Sequence, residues 1–134
     1  ALANAKLGAV HGLAAPMGGA MGIPHGVVCG RLLAAVTAAN IEALDCENPH
    51  APALARYREA AQIFTNDPRV EARTAAEWIR TLVDELPLAA LSEYGPPPTD
   101  PAALARQALQ ASSMKGNPVS LSEERLVRIL REVF

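Results

Sequence analysis

The chain has 134 residues, half of them apolar, 19% charged and 4% aromatic, with a formal charge of −2. That length suffices for one domain and is too short for two. Twelve Lys and Arg against fourteen Asp and Glu leave none of the basic excess that nucleic acid or an anionic membrane surface demands, so neither is an expected partner. An aromatic-poor, Ala-rich chain favours closely packed helices over a β-sandwich, and the expected class is all-α.

Ala1 to about Ala15 reads as a helix of good formers in which Gly8 and Gly12, four apart, let another backbone approach one face. Pro16, Gly18, Gly19, Gly22 and Pro24 predict a turn region that ends this helix. A second helix is expected over roughly His25 to Leu44, and Asn48-Pro49-His50-Ala51-Pro52 then breaks the chain. The spacing of Leu54, Tyr57, Ala61 and Phe64 predicts a helix from Ala53 to Phe64, ended at Asn66-Asp67-Pro68. Val70 to Leu86 carries Ala72, Ala75, Ala76, Ile79, Leu82, Val83 and Leu86 on one stripe, the pattern of a surface helix packed on one face.

Pro87 to Leu91 allows a short turn, and Gly95-Pro96-Pro97-Pro98 is a stiff spacer. Asp100 as N-cap and Pro101 at the first helical position open a helix from Ala102 to about Ala111. After Asn117-Pro118 the last helix begins at Ser120, which would form a capping box with Glu123, or at Ser122, and runs to the chain end. No segment reads as a strand, so the expectation is a single all-helical domain over residues 1–134.

Charge divides this chain unevenly. Residues 1–41 hold only Lys6 and Arg31 as charged side chains, and every acidic residue lies at Glu42 or beyond. A segment that is small or apolar on all sides belongs inside protein, and the remaining chain is too short to surround it completely. The least polar run, Val27 to Ala39, is broken by Arg31 and falls short of the roughly 20 residues of a membrane span. With no leader segment recognisable, the expected location is the cytoplasm. The chain begins Ala1-Leu2-Ala3-Asn4 without an initiator Met and reads as a piece of a longer protein.

Chemistry is confined to few groups. Cys29 and Cys46 lack a CxxC or CxxxH spacing and are expected to be reduced, buried and inert. His11 and His25 flank the Gly/Pro-rich segment, so a chain that folds back there brings both imidazoles to one divalent ion. The alternative is a pair of buried histidines bonded to carbonyls. His50, in a Pro-flanked loop, reads as solvated. Met17 to Gly22 lacks the strand and Lys of a phosphate loop. Arg69, Arg73 and Arg80 read as a solvated helix face.

Leu7-Gly8-Ala9-Val10-His11-Gly12-Leu13-Ala14-Ala15-Pro16-Met17-Gly18-Gly19, followed by Ile23-Pro24-His25-Gly26-Val27-Val28-Cys29, Leu32-Leu33 and Asn40, resembles the signature of the iron-containing alcohol dehydrogenase family. Leu91-Ser92-Glu93-Tyr94-Gly95 and Gly116-Asn117-Pro118-Val119-Ser120-Leu121-Ser122-Glu123-Glu124 resemble later segments of the same enzymes, in the same order. The resemblance implies an N-terminal α/β domain that binds NAD(P) and a helical C-terminal domain of the dehydroquinate synthase-like type, of which this chain is similar to the latter two-thirds. It also implies a divalent metal, usually iron and sometimes zinc, held by an Asp and three His. The last two of those histidines match His11 and His25, while the Asp and the first His belong upstream of Ala1.

Many members carry another histidine, near the nicotinamide, four residues after the first of these ligands, and here that place is Ala15. The implied function is hydride transfer between a small alcohol or aldehyde and NAD(P) in the full-length, homo-oligomeric enzyme, with the isolated chain inactive. Two rival readings are a maleylacetate-reductase-like oxidoreductase of the same superfamily and a non-catalytic helical interaction module.

Overall fold

The computed structural model describes residues 7–134 and is all-helical. Six α-helices follow one another: α1 Ala9–Met21, α2 His25–Glu47, α3 Pro52–Thr65, α4 Arg73–Glu85, α5 Pro101–Gln110 and α6 Glu123–Glu132. Short 3-10 turns at Leu91–Tyr94 and Ser112–Gly116 flank α5. The 23-residue α2, about 35 Å long at the usual rise, is the central element, touched by α1, α3, α4 and α6. By length and composition alone α2 could cross a membrane. Here it is instead a core helix, with Val28, Leu32, Ala35, Val36, Ala39 and Ala43 buried among its neighbours.

The main core joins Leu13 and Met17 of α1, Val28 and Leu32 of α2, Leu91 of the first 3-10 turn, and Leu126, Ile129 and Leu130 of α6. Each of these side chains is essentially fully buried, which is worth about 1.5–3 kcal/mol apiece relative to exposure. A smaller cluster of Ile41, Leu44, Leu54 and Ala72 seats α3 on α2, and Phe64 stacks on Trp78 at 4.5 Å to join α3 to α4. The periphery is tied by exposed ion pairs: Arg128 with Glu42 at 2.6 Å, Arg125 with Glu47, and Arg80 with Glu132 at 2.7 Å.

The first helix departs most from its expected span. Residues 1–6, where its start is predicted, lie outside the described residues. Its end is not at Ala15: α1 continues through Pro16, Gly18 and Gly19 to Met21. A proline inside a helix removes one backbone bond and costs roughly 3 kcal/mol. Continuing the helix places Met17, and Ile23 just past its end, in the core at 0% and 3% exposure, so packing outweighs the local preference. The turn shrinks to Gly22–Pro24. Gly22 adopts φ 67°, a conformation natural to glycine, and its N–H donates to Gly18 O at 2.9 Å to close the helix.

Elsewhere the boundaries shift by a few residues. α2 extends three residues beyond Leu44, and α4 starts at Arg73 rather than Val70. Asp67 accepts from the Arg69 backbone N–H at 2.9 Å, holding a turn where the helix was expected to approach. The start of α6 is set by Ser122, whose Oγ accepts from Arg125 N–H at 3.3 Å. The Ser120–Glu123 capping box does not form, because Leu121 is buried and Glu123 accepts from Arg106 at 2.9 Å. α6 stops at Glu132, short of the chain end.

Candidate metal centre

The tight Gly22–Pro24 connection folds α2 back along α1, and the core contacts between the two helices fix their relative position. His11 lies in the first turn of α1 and His25 is the first residue of α2. Their rings approach to 5.3 Å between centroids, inclined by 52°. His11 is half-buried and His25 exposed. The two histidines predicted to meet are thus brought together by a shorter turn than expected. His50 stands apart from them and is exposed.

Cys29 joins this pair. One helical turn after His25, its Sγ lies 3.4 Å from His25 Nε2, within hydrogen-bond distance. The donor atoms of His11, His25 and Cys29 all lie within 4.8 Å of one another. The expectation that both cysteines are buried is therefore corrected: Cys29 is half-buried at the histidine pair, and Cys46 is exposed. Burial pushes the Cys29 thiol above its ordinary value. The missed signal is the His-x-x-x-Cys order, which puts two donors on one helix face as well as the reverse order does.

A hydrogen-bonded frame holds the start of α1. Gly8 at its N-cap offers no side chain, and Asn117 supplies the cap from 108 residues away, its Oδ1 accepting from Ala9 N–H at 3.0 Å. The same amide donates to Val119 O at 2.8 Å and to Asn40 Oδ1 at 2.7 Å. Buried Asn40 in turn donates to the Tyr57 hydroxyl at 3.1 Å. Close approach needs the glycines of α1: a Cβ at Gly8 would stand 2.9 Å from Asn117 Oδ1, and one at Gly12 would stand 3.0 Å from Met114 Sδ. The predicted close-packing face of Gly8 and Gly12 is the face that receives the segment from Met114 to Asn117.

Arg31, the lone charge of this half of α2, donates to Ala89 O at 3.1 Å and to Leu88 O, and pairs with Asp84 at 3.5 Å. It fastens the segment after α4 across α2, where Gly30 leaves room for Leu88.

A recess of about 560 Å³ runs from His11 and Cys29 along Leu33 and Val36 to Asn40 and Tyr57. Its walls are largely apolar and its far end polar. Ala15 lies exposed on α1, outside this recess. A nitrogen–nitrogen–sulfur donor set suits zinc and other first-row divalent ions, so the residues present fit a metal. Two or three ligands from this chain leave the ion's remaining positions to groups elsewhere.

The model of the Fe-containing alcohol dehydrogenase family, C-terminal portion, matches residues 1–134. The chain belongs to this family. An alcohol dehydrogenase from Oenococcus oeni is similar in structure, with a TM-score of 0.79 and 29% sequence identity over 98% of this chain and 33% of that one. A crystal structure of a 1,3-propanediol oxidoreductase is similar with a TM-score of 0.73 and 26% identity, over 96% of this chain and 33% of the other. No curated protein sequence matches. The chain thus spans about a third of the length of these dehydrogenases and corresponds to helical parts of them.

Proposed function

We propose that the chain is the metal-holding helical part of an NAD(P)-dependent alcohol dehydrogenase acting on a small alcohol or aldehyde, with His11 and His25 as two ligands of an iron or zinc ion. The observation that carries this reading is the meeting of the two imidazoles across the Gly22–Pro24 turn, 5.3 Å apart, in a region almost free of charge. Among the described residues neither ring is bonded to a carbonyl or carboxylate, and only Cys29 comes within hydrogen-bond distance of one.

When bound, the ion supplies a Lewis acid that polarises the oxygen of the alcohol or aldehyde. The chain's own contribution is position and environment. Imidazole nitrogens of His11 and His25 would hold the ion, and Asn117 keeps the His11 turn in place through Ala9 N–H. The apolar walls of the recess accept a short carbon chain and lower the local dielectric, which strengthens polar interactions at its mouth. Dinucleotide recognition calls for a strand-turn-helix unit, and the described residues contain no strand. We therefore assign NAD(P) binding to a part of the enzyme outside this chain. The exposed face of α1 and α2, with Ala15, Gly19, Ala20 and Leu33, is where that part would pack.

Metal analysis and kinetics on the full-length enzyme test the assignment. His11→Ala and His25→Ala should each lower metal content and alcohol oxidation together, whereas His50→Ala should change neither. Full metal occupancy in both of the first two variants would remove the basis for the proposal.

A further inference from the structure

His11 stands in the first turn of α1, where backbone N–H groups have no partner within the helix, and it lies far from the Gly22–Pro24 turn that joins α1 to α2. At the usual rise that arm is about 16 Å long, so a tilt of only about 5° at the turn would carry His11 more than about 1 Å from its place beside His25. Metal ligands must hold their distances to within about 0.2 Å. The apolar contacts between the helices are non-directional, so a directional tie is needed at the far end of the arm.

That tie is a pair of amides. Two backbone groups of fixed polarity orient the Asn117 amide: Ala9 N–H donates to its Oδ1 at 3.0 Å, and its Nδ2 donates to Val119 O at 2.8 Å. Asn40 then engages both ends of the same amide, its Oδ1 accepting from Asn117 Nδ2 at 2.7 Å and its Nδ2 donating to Asn117 Oδ1 at 3.3 Å. A bond in each direction fixes the twist of Asn117 as well as its direction. Asn40 is 3% exposed, an amide buried in an otherwise mostly apolar helix, and its Nδ2 also donates to the Tyr57 hydroxyl of α3 at 3.1 Å. Asn40 sits on α2, the helix that carries His25.

We infer that Asn40 and Tyr57 are positioning residues for the metal ligand His11. Tyr57 holds the Asn40 amide, Asn40 locks the Asn117 amide, and Asn117 fixes the backbone two residues before His11. The start of α1 is thereby referenced to α2, so the spacing of the two imidazoles is set at both ends of α1. This role rests on the proposed metal centre and adds no ligand to it.

The full-length protein, stripped by a chelator and reloaded with cobalt(II), gives the test through metal stoichiometry and the rate at which a competing chelator removes the ion, under conditions where every variant is folded by circular dichroism. One cobalt per chain is expected in the unmodified protein. Asn40→Ala should release it about tenfold faster, the lower end of what loss of an outer-shell partner does, and Tyr57→Phe about twofold to threefold faster. Because Tyr57 acts only through Asn40, the double variant should release cobalt no faster than Asn40→Ala alone. Ser122→Ala, which loses a cap elsewhere, should release it at the unmodified rate. Unchanged release in Asn40→Ala and Tyr57→Phe, additive effects in the double variant, or equal acceleration in Ser122→Ala each overturn the positioning role and leave the histidine centre standing. Absence of stoichiometric cobalt in the unmodified protein overturns both. If Asn40→Ala fails to fold, Tyr57→Phe against Ser122→Ala decides.

Discussion

The α1–α2 pair and the α5–α6 pair are each two helices packed together, yet their ends are held in different ways. α5 and α6 carry their own caps: Asp100 accepts from Ala103 N–H at 2.9 Å, and Ser122 accepts from Arg125 N–H at 3.3 Å. α1 and α2 have Gly8 and Pro24 at their N-caps and no side-chain cap there. The start of α1 is instead capped by Asn117, which belongs to the segment between α5 and α6. The pair with its own caps thus lends its connection to the pair that carries the histidines. The lesson is that the metal-facing helices depend on long-range contacts, so damage far along the sequence reaches His11.

The largest effect expected from this asymmetry is that of Asn117→Ala. It removes the α1 cap and the Asn117 amide that bonds Asn40 and Val119, and should cost about 2–3 kcal/mol in urea unfolding. A loss under about 1 kcal/mol would show that α1 does not rely on the distant cap. Gly8→Ala comes next, since its Cβ would press on Asn117 Oδ1 at 2.9 Å, and should cost about 1–2 kcal/mol. In the Asn117→Ala background the same change should cost far less, and a double-mutant cycle measures that coupling. Simple additivity would break the link.

Ser122→Ala removes only a local cap, and about 1 kcal/mol is expected by thermal melting. It should leave metal content unchanged, in contrast to Asn117→Ala. The smallest effect concerns pH. Burial pushes the Tyr57 hydroxyl above its ordinary value, partly offset by the hydrogen bond from Asn40. With a raised folded value, stability is full below the unfolded value of about 10 and falls as pH rises through the folded one. Tyr57→Phe should flatten that alkaline limb in unfolding free energies measured across it.

Legibility followed the locality of the signal. Asp100-Pro101 marked α5, the Ala72–Val83 stripe marked the buried face of α4 at Ala75, Ala76 and Val83, and the pairing of His11 with His25 followed from a fold-back between them. The fold-back itself was misplaced. Pro16, Gly18 and Gly19 are breakers in isolation, and only the burial of Met17 and Ile23 keeps α1 helical through them. Ser120 and Ser122 were equivalent as caps until the burial of Leu121 chose between them. Cys29 stands in a His-x-x-x-Cys order, His25 to Cys29, which neither the CxxC nor the CxxxH spacing describes.

By itself, the amino-acid sequence determined the all-helical class, the positions of α3 to α6 within a few residues and the candidates His11 and His25, because helical periodicity, local caps and residue chemistry act within one or two turns. The tertiary structure alone decided that α1 runs through Pro16, that Asn117 caps it from 108 residues away and that Cys29 completes a three-donor group. Those outcomes depend on which surfaces are buried against each other. A proline's roughly 3 kcal/mol penalty is outweighed only when distant side chains fill a shared core.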